Sequence, residues 1–311
     1  MIRASIDLGT NTCLLLIAEW DEKRNELTRI VSDDSTVVRL GEGVDQSRLL
    51  QSIPMNRVLA CLQNYVYKVK AANLSPQEVL CVATSQARDA KNSEEFFLRV
   101  KQETGFEFLT LSGDEEARYT FLGALLPGMD PAQTAVIDIG GGSTEITTLD
   151  WAQSVDIGSV RLTERCFKST FAVPDAPVIT DEFKACEQLI DGALRVFLGR
   201  LNASPKTYQL VAVAGTATSL AAWHLNLDKF DANTIDQSWL TQESLFEMVQ
   251  KLKSFTLVET RKIPLMDPKR ADVILAGSMI LWRAMRLLDF KECRVSSRGL
   301  RFGVLQGLAR I

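Results

Sequence analysis

The chain has 311 residues, enough for two domains of ordinary size whose cores need no disulfide or metal staples. Hydrophobic residues make up 46% and charged residues 24%, an ordinary globular balance. A net charge of −4 argues against a general nucleic-acid binder, and six scattered cysteines with a single histidine, His224, argue against a zinc site.

No apolar signal core opens the sequence, and apolar runs such as Cys13–Ala18 and Val273–Trp282 are too short to cross a bilayer. The expectation is a cytoplasmic protein with reduced, buried thiols and no membrane partner.

Ala4–Leu8 is a short apolar run closed by Gly9, and Cys13–Trp20 is a second, followed by the charged turn Asp21–Asn25. Together they predict a hairpin-like start with a polar Gly-Thr-Asn-Thr tip. Met55–Ala72 carries Val58, Leu62, Tyr65 and Val69 at helical spacing. Glu78–Ala83 reads as a buried strand, Ser93–Thr104 as an amphipathic helix capped by Ser93, and Glu115–Leu125 as a further helix.

The opening pattern then returns. Ala135–Ile139 is apolar, Gly140-Gly141-Gly142-Ser143-Thr144 forms the tip, and Glu145–Leu149 alternates. Ile6-Asp7-Leu8-Gly9-Thr10 and Ile137-Asp138-Ile139-Gly140-Gly141 read as one structural unit used twice. A long helix over Asp181–Leu201, a strand over Gln209–Ala214 and a turn at Gly215–Thr218 follow. Helices are predicted over Thr241–Lys251 and from Lys269 to Leu288, then a last strand and helix. Alternating strands and helices indicate an α/β chain.

The two Asp-plus-glycine loops carry the chemistry. Glycines let backbone N–H groups approach phosphate oxygens, and the hydroxyls of Thr10, Thr12, Ser143 and Thr144 add donors. Asp7 and Asp138 each end an apolar strand, a place to hold a divalent cation or a water. Neither loop is a Walker A sequence, since no Gly-Lys-Ser/Thr follows. A tight turn with a solvated Asp is the plain alternative for one such loop; two of them, each leading into a second strand, point to phosphate.

Ile6-Asp7-Leu8-Gly9-Thr10-Asn11-Thr12 and Asp138-Ile139-Gly140-Gly141-Gly142-Ser143-Thr144-Glu145 resemble the first and second phosphate loops of the exopolyphosphatase and guanosine-pentaphosphate phosphatase (Ppx/GppA) family. Val213-Ala214-Gly215-Thr216-Ala217-Thr218 is similar to its third, adenosine-type loop. Arg39–Val44, Ala83–Asn92, Ser112–Arg118, Gly158–Thr163, Lys269–Asp272 and Ser296–Leu305 resemble further family segments in the same order. The resemblance spans nearly the whole chain.

It implies a fold of two ribonuclease-H-like domains of the actin/Hsp70/sugar kinase superfamily, with the active site in an interdomain cleft. The first domain is expected over residues 1–118 plus 297–311 and the second over 119–296. Glu116 matches the residue that activates the attacking water, and Arg88 the arginine that contacts phosphate and stabilises developing charge. Taken without the resemblance, Glu115-Glu116 reads as a solvated helix face and Arg88 as the partner of Asp89.

Asp138 and Glu145 match positions near the metal and the catalytic water, so Glu145 is an implied catalytic residue beside Glu116 and Arg88, and Mg²⁺ or another divalent ion is the implied cofactor. Asp7, Gly9, Thr10, Asn11, Thr12, Gly140, Gly141, Gly142, Ser143 and Thr144 are the implied phosphate ligands. Gly215 and Thr216 would sit where nucleotide-using relatives place a nucleoside, with a capped strand-to-helix turn as the alternative. Lys262, Lys269 and Arg270 read singly as solvated surface, and Trp223, Trp239 and Trp282 as core.

The implied reaction is removal of the terminal phosphate of inorganic polyphosphate by water, without a covalent intermediate. Guanosine pentaphosphate (pppGpp) is the alternative substrate. An actin-like kinase, which would move phosphate from ATP to an acceptor, and a non-catalytic alarmone or polyphosphate sensor are the competing classes. Ending at Ile311, the chain resembles a short form that lacks the C-terminal helical domain of longer members, which implies an open channel and a preference for shorter chains. Members of the family often dimerise, so a homodimer is an expectation whose interface no residue marks.

Overall fold

The structure, a computed structural model, describes residues 1–24, 26–173, 175–202 and 208–307. It divides into two compact units: Met1–Gly123 with the C-terminal segment from Gly299, and Ala124–Arg298. The first crossing falls beyond Arg118 because the helix that carries Glu116 continues unbroken to Ala124. Residues 308–311 of the expected first domain lie outside the described residues.

The first unit runs β1 (Ile2–Leu8), β2 (Thr12–Asp21), β3 (Glu26–Val37), α1 (Ser52–Ala71), β4 (Val79–Ala83), α2 (Ser85–Asp89), α3 (Ser93–Thr104), β5 (Phe108–Thr110) and α4 (Gly113–Ala124). Its described residues form a five-stranded sheet in the order β3-β2-β1-β4-β5, with β1, β4 and β5 parallel and β2 and β3 antiparallel. Alternation along β2 separates two apolar sets. Leu15 and Ile17 join Ile6, Leu8, Val58, Leu62, Tyr65 and Val69 on the α1 side. Leu16, Ala18 and Trp20 pack elsewhere.

Two details of this unit differ from expectation. Asn92, not Ser93, is the N-cap of α3, and its amide exchanges hydrogen bonds with the Leu50 backbone instead of capping the helix. The twelve-residue β3 gave no strand signal because most of its residues face solvent and are polar.

The second unit runs β6 (Thr134–Ile139), β7 (Thr144–Thr147), β8 (Ala152–Val155), α5 (Ser159–Cys166), α6 (Thr180–Asn202), β9 (Gln209–Val213), α7 (Ala214–His224), β10 (Trp239–Thr241), α8 (Gln242–Ser254), α9 (Ile274–Leu287) and β11 (Glu292–Val295). Its sheet order is β8-β7-β6-β9-β11-β10. Apart from the edge strand β10, this repeats the first unit strand for strand, so each unit has the ribonuclease-H-like order of an actin-like fold. The core joins Ile137, Ile139, Ile146 and Leu210 of the sheet to Ile190, Leu194 and Phe197 of α6 and to α9. Each such side chain contributes roughly 1.5–3 kcal/mol by leaving water.

The helix expected from Lys269 begins only at Ile274. Asp267 is the cause: its carboxylate takes the Lys269 N–H and its carbonyl the Arg270 N–H, fixing a turn in place of a helix.

The chain then returns to the first unit as α10 (Leu300–Gly307), whose Phe302 and Leu305 cover Leu16, Ala18 and Trp20. There α10 meets α4 at glycines. A Cβ on Gly123 would lie 2.0 Å from the Gly299 carbonyl oxygen, and one on Gly303 would lie 1.7 Å from that of Tyr119. Backbones this close leave no room for a side chain. Among the described residues no helix is long and apolar enough to cross a membrane, and all six cysteines are free and buried.

Candidate active site

β1 ends at Leu8, and the Gly9 N–H donates to the Thr12 carbonyl at 2.8 Å, closing a tight turn at the tip of the hairpin. The equivalent bond in the second unit runs from the Gly140 N–H to the Ser143 carbonyl at 3.0 Å. The repeat read in the sequence is therefore the same hydrogen-bonded turn in both units.

The first turn is held from several directions. The Asn11 carbonyl accepts from the Val38 and Arg39 N–H groups, and the Thr10 carbonyl from the Gly41 N–H. Gly41 lies so close that a Cβ would come 2.2 Å from Thr10 Cγ2. Thr10 Oγ1 lies 2.9 Å from Ser85 Oγ and donates to Gln86 Oε1 at 3.1 Å; Gln86 Nε2 in turn donates to the Leu8 carbonyl at 2.7 Å. Asp7 stands in register with Leu14 and Val82, half-buried at the strand end.

The same short helix α2 reaches Glu116. Arg88 Nη1 donates to Glu116 Oε2 at 2.8 Å and to the Leu111 carbonyl at 2.8 Å. Asp89 pairs with Arg48 instead, so the plain alternative of an Arg88–Asp89 pair does not hold. Glu116 is 8% exposed. Burial pushes its carboxyl above the ordinary carboxylate range, and Arg88, then the Thr84 hydroxyl, pull it part of the way back.

Glu115 has a different job. Its carboxylate accepts from the Ser112 N–H and Oγ, both at 2.8 Å, while Ser112 Oγ accepts from the Glu115 N–H at 3.3 Å. This is a capping box at the start of α4. It fixes the first turn of the helix and hence the direction in which Glu116 leaves it.

In the second unit the cross-strand register pairs Asp138 with Glu145, and directly opposed residues share a sheet face. Glu145 is 2% exposed and accepts from Ser154 Oγ at 2.6 Å. The loop carbonyls turn away to the start of α5: Gly140 accepts from the Ser159 N–H, and Gly141 from those of Val160 and Arg161. A Cβ on Gly158 would lie 2.4 Å from the Gly141 carbonyl carbon and oxygen. Thr144 Oγ1 donates to the Ile157 carbonyl at 2.6 Å, so it braces the loop from behind.

No group of three or more His, Cys, Asp and Glu side chains suited to a metal ion occurs among the described residues. Two carboxylates on one face still suit Mg²⁺, which keeps several waters and needs only one or two carboxylates beside phosphate oxygens.

The third loop opens α7, so it is the strand-to-helix turn given as the alternative, without a side-chain cap. Ala214 takes a left-handed backbone with φ 68°, and Gly215 and Thr216 form the first helical turn. A Cβ on Gly215 would lie 1.4 Å from Arg270 Nη1, so the guanidinium covers this glycine. Arg270 is thus half-buried and not solvated surface, while Lys262 and Lys269 are exposed. Trp282 is core as expected, but Trp239 is 37% exposed on the edge strand β10.

Reasoning from sequence missed Ser85, Gln86 and Ser154. Only the Ser112-x-x-Glu115 spacing carried a local signal for the cap.

The profile of the Ppx/GppA phosphatase family matches residues 17–310. The chain is 32% identical over 328 aligned residues to Exopolyphosphatase 2 of Mycobacterium tuberculosis, covering 98% of each. It is 32% identical over 301 residues to the bifunctional 3-dehydroquinate synthase/phosphatase of Fusobacterium nucleatum, covering 93% of this chain but only 43% of that protein. Among solved structures, an exopolyphosphatase from Cytophaga hutchinsonii superposes with a TM-score of 0.87 at 25% identity, covering 100% of this chain and 98% of that one. A Ppx/GppA family member from Aquifex aeolicus gives 0.78 at 28% identity, covering 100% and 98%.

Proposed function

Because the chain belongs to the Ppx/GppA phosphatase family, an exopolyphosphatase-family hydrolase, we propose that it removes the terminal phosphate of inorganic polyphosphate. The observation that carries this reading is the buried Glu116 carboxylate. It is gripped by Arg88 at 2.8 Å, and its proton affinity is raised by burial, as a general base requires.

In this reading the N–H groups of the two turns other than those of Gly9 and Gly140, which close the turns, bind phosphate oxygens, with the Ser143 and Thr12 hydroxyls beside them. Thr10 and Thr144 brace the two loops. The oxygen of a water bonds to the terminal phosphorus, and the bridging P–O bond breaks with its electron pair on the shortened chain. Glu116 takes one proton of that water, and the other stays on the released phosphate. Arg88 offsets charge that builds on the phosphoryl oxygens. Asp138 and Glu145 would hold a Mg²⁺ ion, which when bound offsets phosphate charge.

Guanosine pentaphosphate offers the same terminal anhydride to the same groups and is the second substrate to test. Polyphosphate is favoured by the similarity to Exopolyphosphatase 2 over 98% of both chains. The guanidinium over Gly215 also suits a run of phosphates.

The test is phosphate release with Mg²⁺ from long polyphosphate, short polyphosphate and guanosine pentaphosphate side by side. Release from polyphosphate supports the reading. Release only from guanosine pentaphosphate moves it to that substrate, and no release from any of them overturns it.

A further inference from the structure

Arg57, in the first half of α1, reaches the loop that follows β3. Its Nε donates to the Val38 carbonyl at 2.7 Å, and its Nη2 to the Arg39 carbonyl at 3.3 Å and to Glu42 Oε2 at 2.6 Å. The two carbonyls belong to the peptides on either side of the Arg39 Cα. Arg39 itself holds a left-handed backbone, φ 52°, which a residue other than glycine keeps only where its surroundings fix it. The planar fork of the guanidinium does so by meeting both peptides at once.

The segment held in this way is the strap across the first turn. The N–H groups of Val38 and Arg39 donate to the Asn11 carbonyl at 2.9 and 3.0 Å, and that of Gly41 to the Thr10 carbonyl at 2.9 Å. Val38 and Leu40 are buried between these bonds, and a Cβ on Gly41 would come 2.2 Å from Thr10 Cγ2, so the strap has no slack against the turn. One bonded series leads from Arg57 Nε through the Val38 carbonyl and the Arg39 N–H of the same peptide to the Asn11 carbonyl. The peptide of that carbonyl carries the Thr12 N–H. A cation at the head of such a series polarises each peptide in it and strengthens the donors further along.

Stability does not account for the arrangement. Water reaches 34% of the Arg57 side chain and 51% of the Glu42 side chain, and an ion pair so exposed contributes little. We propose that Arg57 is a positioning residue for the first turn: by holding the Val38–Gly41 strap it sets the direction and strength of the N–H groups that the turn offers to phosphate. The guanidinium acts through the strap and not on the substrate. This assignment rests on the reading of the turn as a phosphate site.

The experiment is steady-state hydrolysis of long polyphosphate with Mg²⁺ by the wild type, Arg57→Met, Arg57→Lys and Glu42→Gln, with the thermal midpoint of each. Arg57→Met is expected to lower kcat/KM on the order of 10–10²-fold, as for misplaced binding groups. Most of the loss should fall on KM, since the turn holds phosphate before and during the reaction. Arg57→Lys, which keeps the charge and can reach one carbonyl, is expected to recover part of it. Glu42→Gln leaves the grip on both carbonyls and is expected to keep KM within about threefold. The midpoints should stay within about 4 °C of the wild type. An unchanged KM in Arg57→Met would overturn the proposal, and a lower midpoint beside it would make Arg57 a structural prop. A rise in KM for Glu42→Gln equal to that for Arg57→Met would also overturn it, by assigning the effect to the ion pair. If the wild type releases no phosphate, the reading of the reaction fails by itself. Calorimetry of long polyphosphate binding in EDTA then decides for Arg57: weaker binding by Arg57→Met supports the proposal, and equal binding overturns it.

Discussion

Arg88 Nη1 is shared between Glu116 Oε2 and the Leu111 carbonyl, at 2.8 Å to each. One nitrogen therefore anchors the end of α2 to the strand exit and to the carboxylate together. Replacing Glu116 by Gln keeps the shape and the contact to Arg88 but removes the proton acceptor. The expected loss in kcat for polyphosphate is on the order of 10²–10⁴-fold, read by phosphate release. Full activity would dismiss Glu116 as the base.

The pH profile separates the two residues. Arg88 lowers the proton affinity of Glu116 against the larger effect of burial. Arg88→Met removes that counterweight, so the Glu116 carboxyl rises further and the acidic limb of kcat/KM shifts to higher pH. A limb that stays in place, measured on the residual activity, would mean that another group titrates.

Stability carries the same sign. A carboxyl whose proton affinity is higher folded than unfolded contributes stability at low pH that is lost as pH rises through the folded value. The thermal midpoint of Glu116→Gln, relative to wild type, should therefore be higher at neutral pH. The gap should close as pH falls below the ordinary carboxylate range. A gap that widens on acidification would contradict this.

Adjacent glutamates should behave as opposites. Glu115 serves the capping box, so Glu115→Gln should leave kcat within about twofold, and Ser112→Ala should cost roughly 0.5–2 kcal/mol of stability. Denaturant titration and phosphate release on the same samples decide it. A large loss of rate in Glu115→Gln would reverse the assignment.

Glycine positions give a purely steric test. A Cβ at Gly158 meets backbone of Gly141 at 2.4 Å, whereas one at Gly192 meets nothing within 4 Å. Gly158→Ala should destabilise by about 1–3 kcal/mol and disturb the second loop. Gly192→Ala, inside α6, should stabilise by roughly 0.5–1 kcal/mol. Equal effects on the thermal midpoint would refute the close approach.

Much of the fold could be read from local pattern. β1 and β6 are apolar strands closed by Asp and Gly, and their turns carry equivalent hydrogen bonds. β3 escaped notice because a polar strand with one face in water lacks the apolar alternation that marks strands. Within the candidate site, what stayed hidden joins distant parts of the chain. Thr10 bonds Gln86 across 76 positions and Arg88 bonds Glu116 across 28. The burial of Arg270 over Gly215 is likewise a product of tertiary packing. No single-sequence periodicity encodes such pairs. The Glu115 cap was different: its spacing was visible, but the charge of the pair drew the reading toward a solvated face.

The contact between Gly123 and Gly299 has a consequence for how the chain was assembled. The polypeptide leaves the first unit and re-enters it at two backbones that touch. Residues 124–298 therefore form a cassette whose ends occupy a single point on its host. Changes of length within residues 124–298 should then leave the contact of α4 with α10 in place. Joining Gly123 to Gly299 through a short glycine linker should leave the host sheet, with Phe302 and Leu305 still seated on it, able to fold alone.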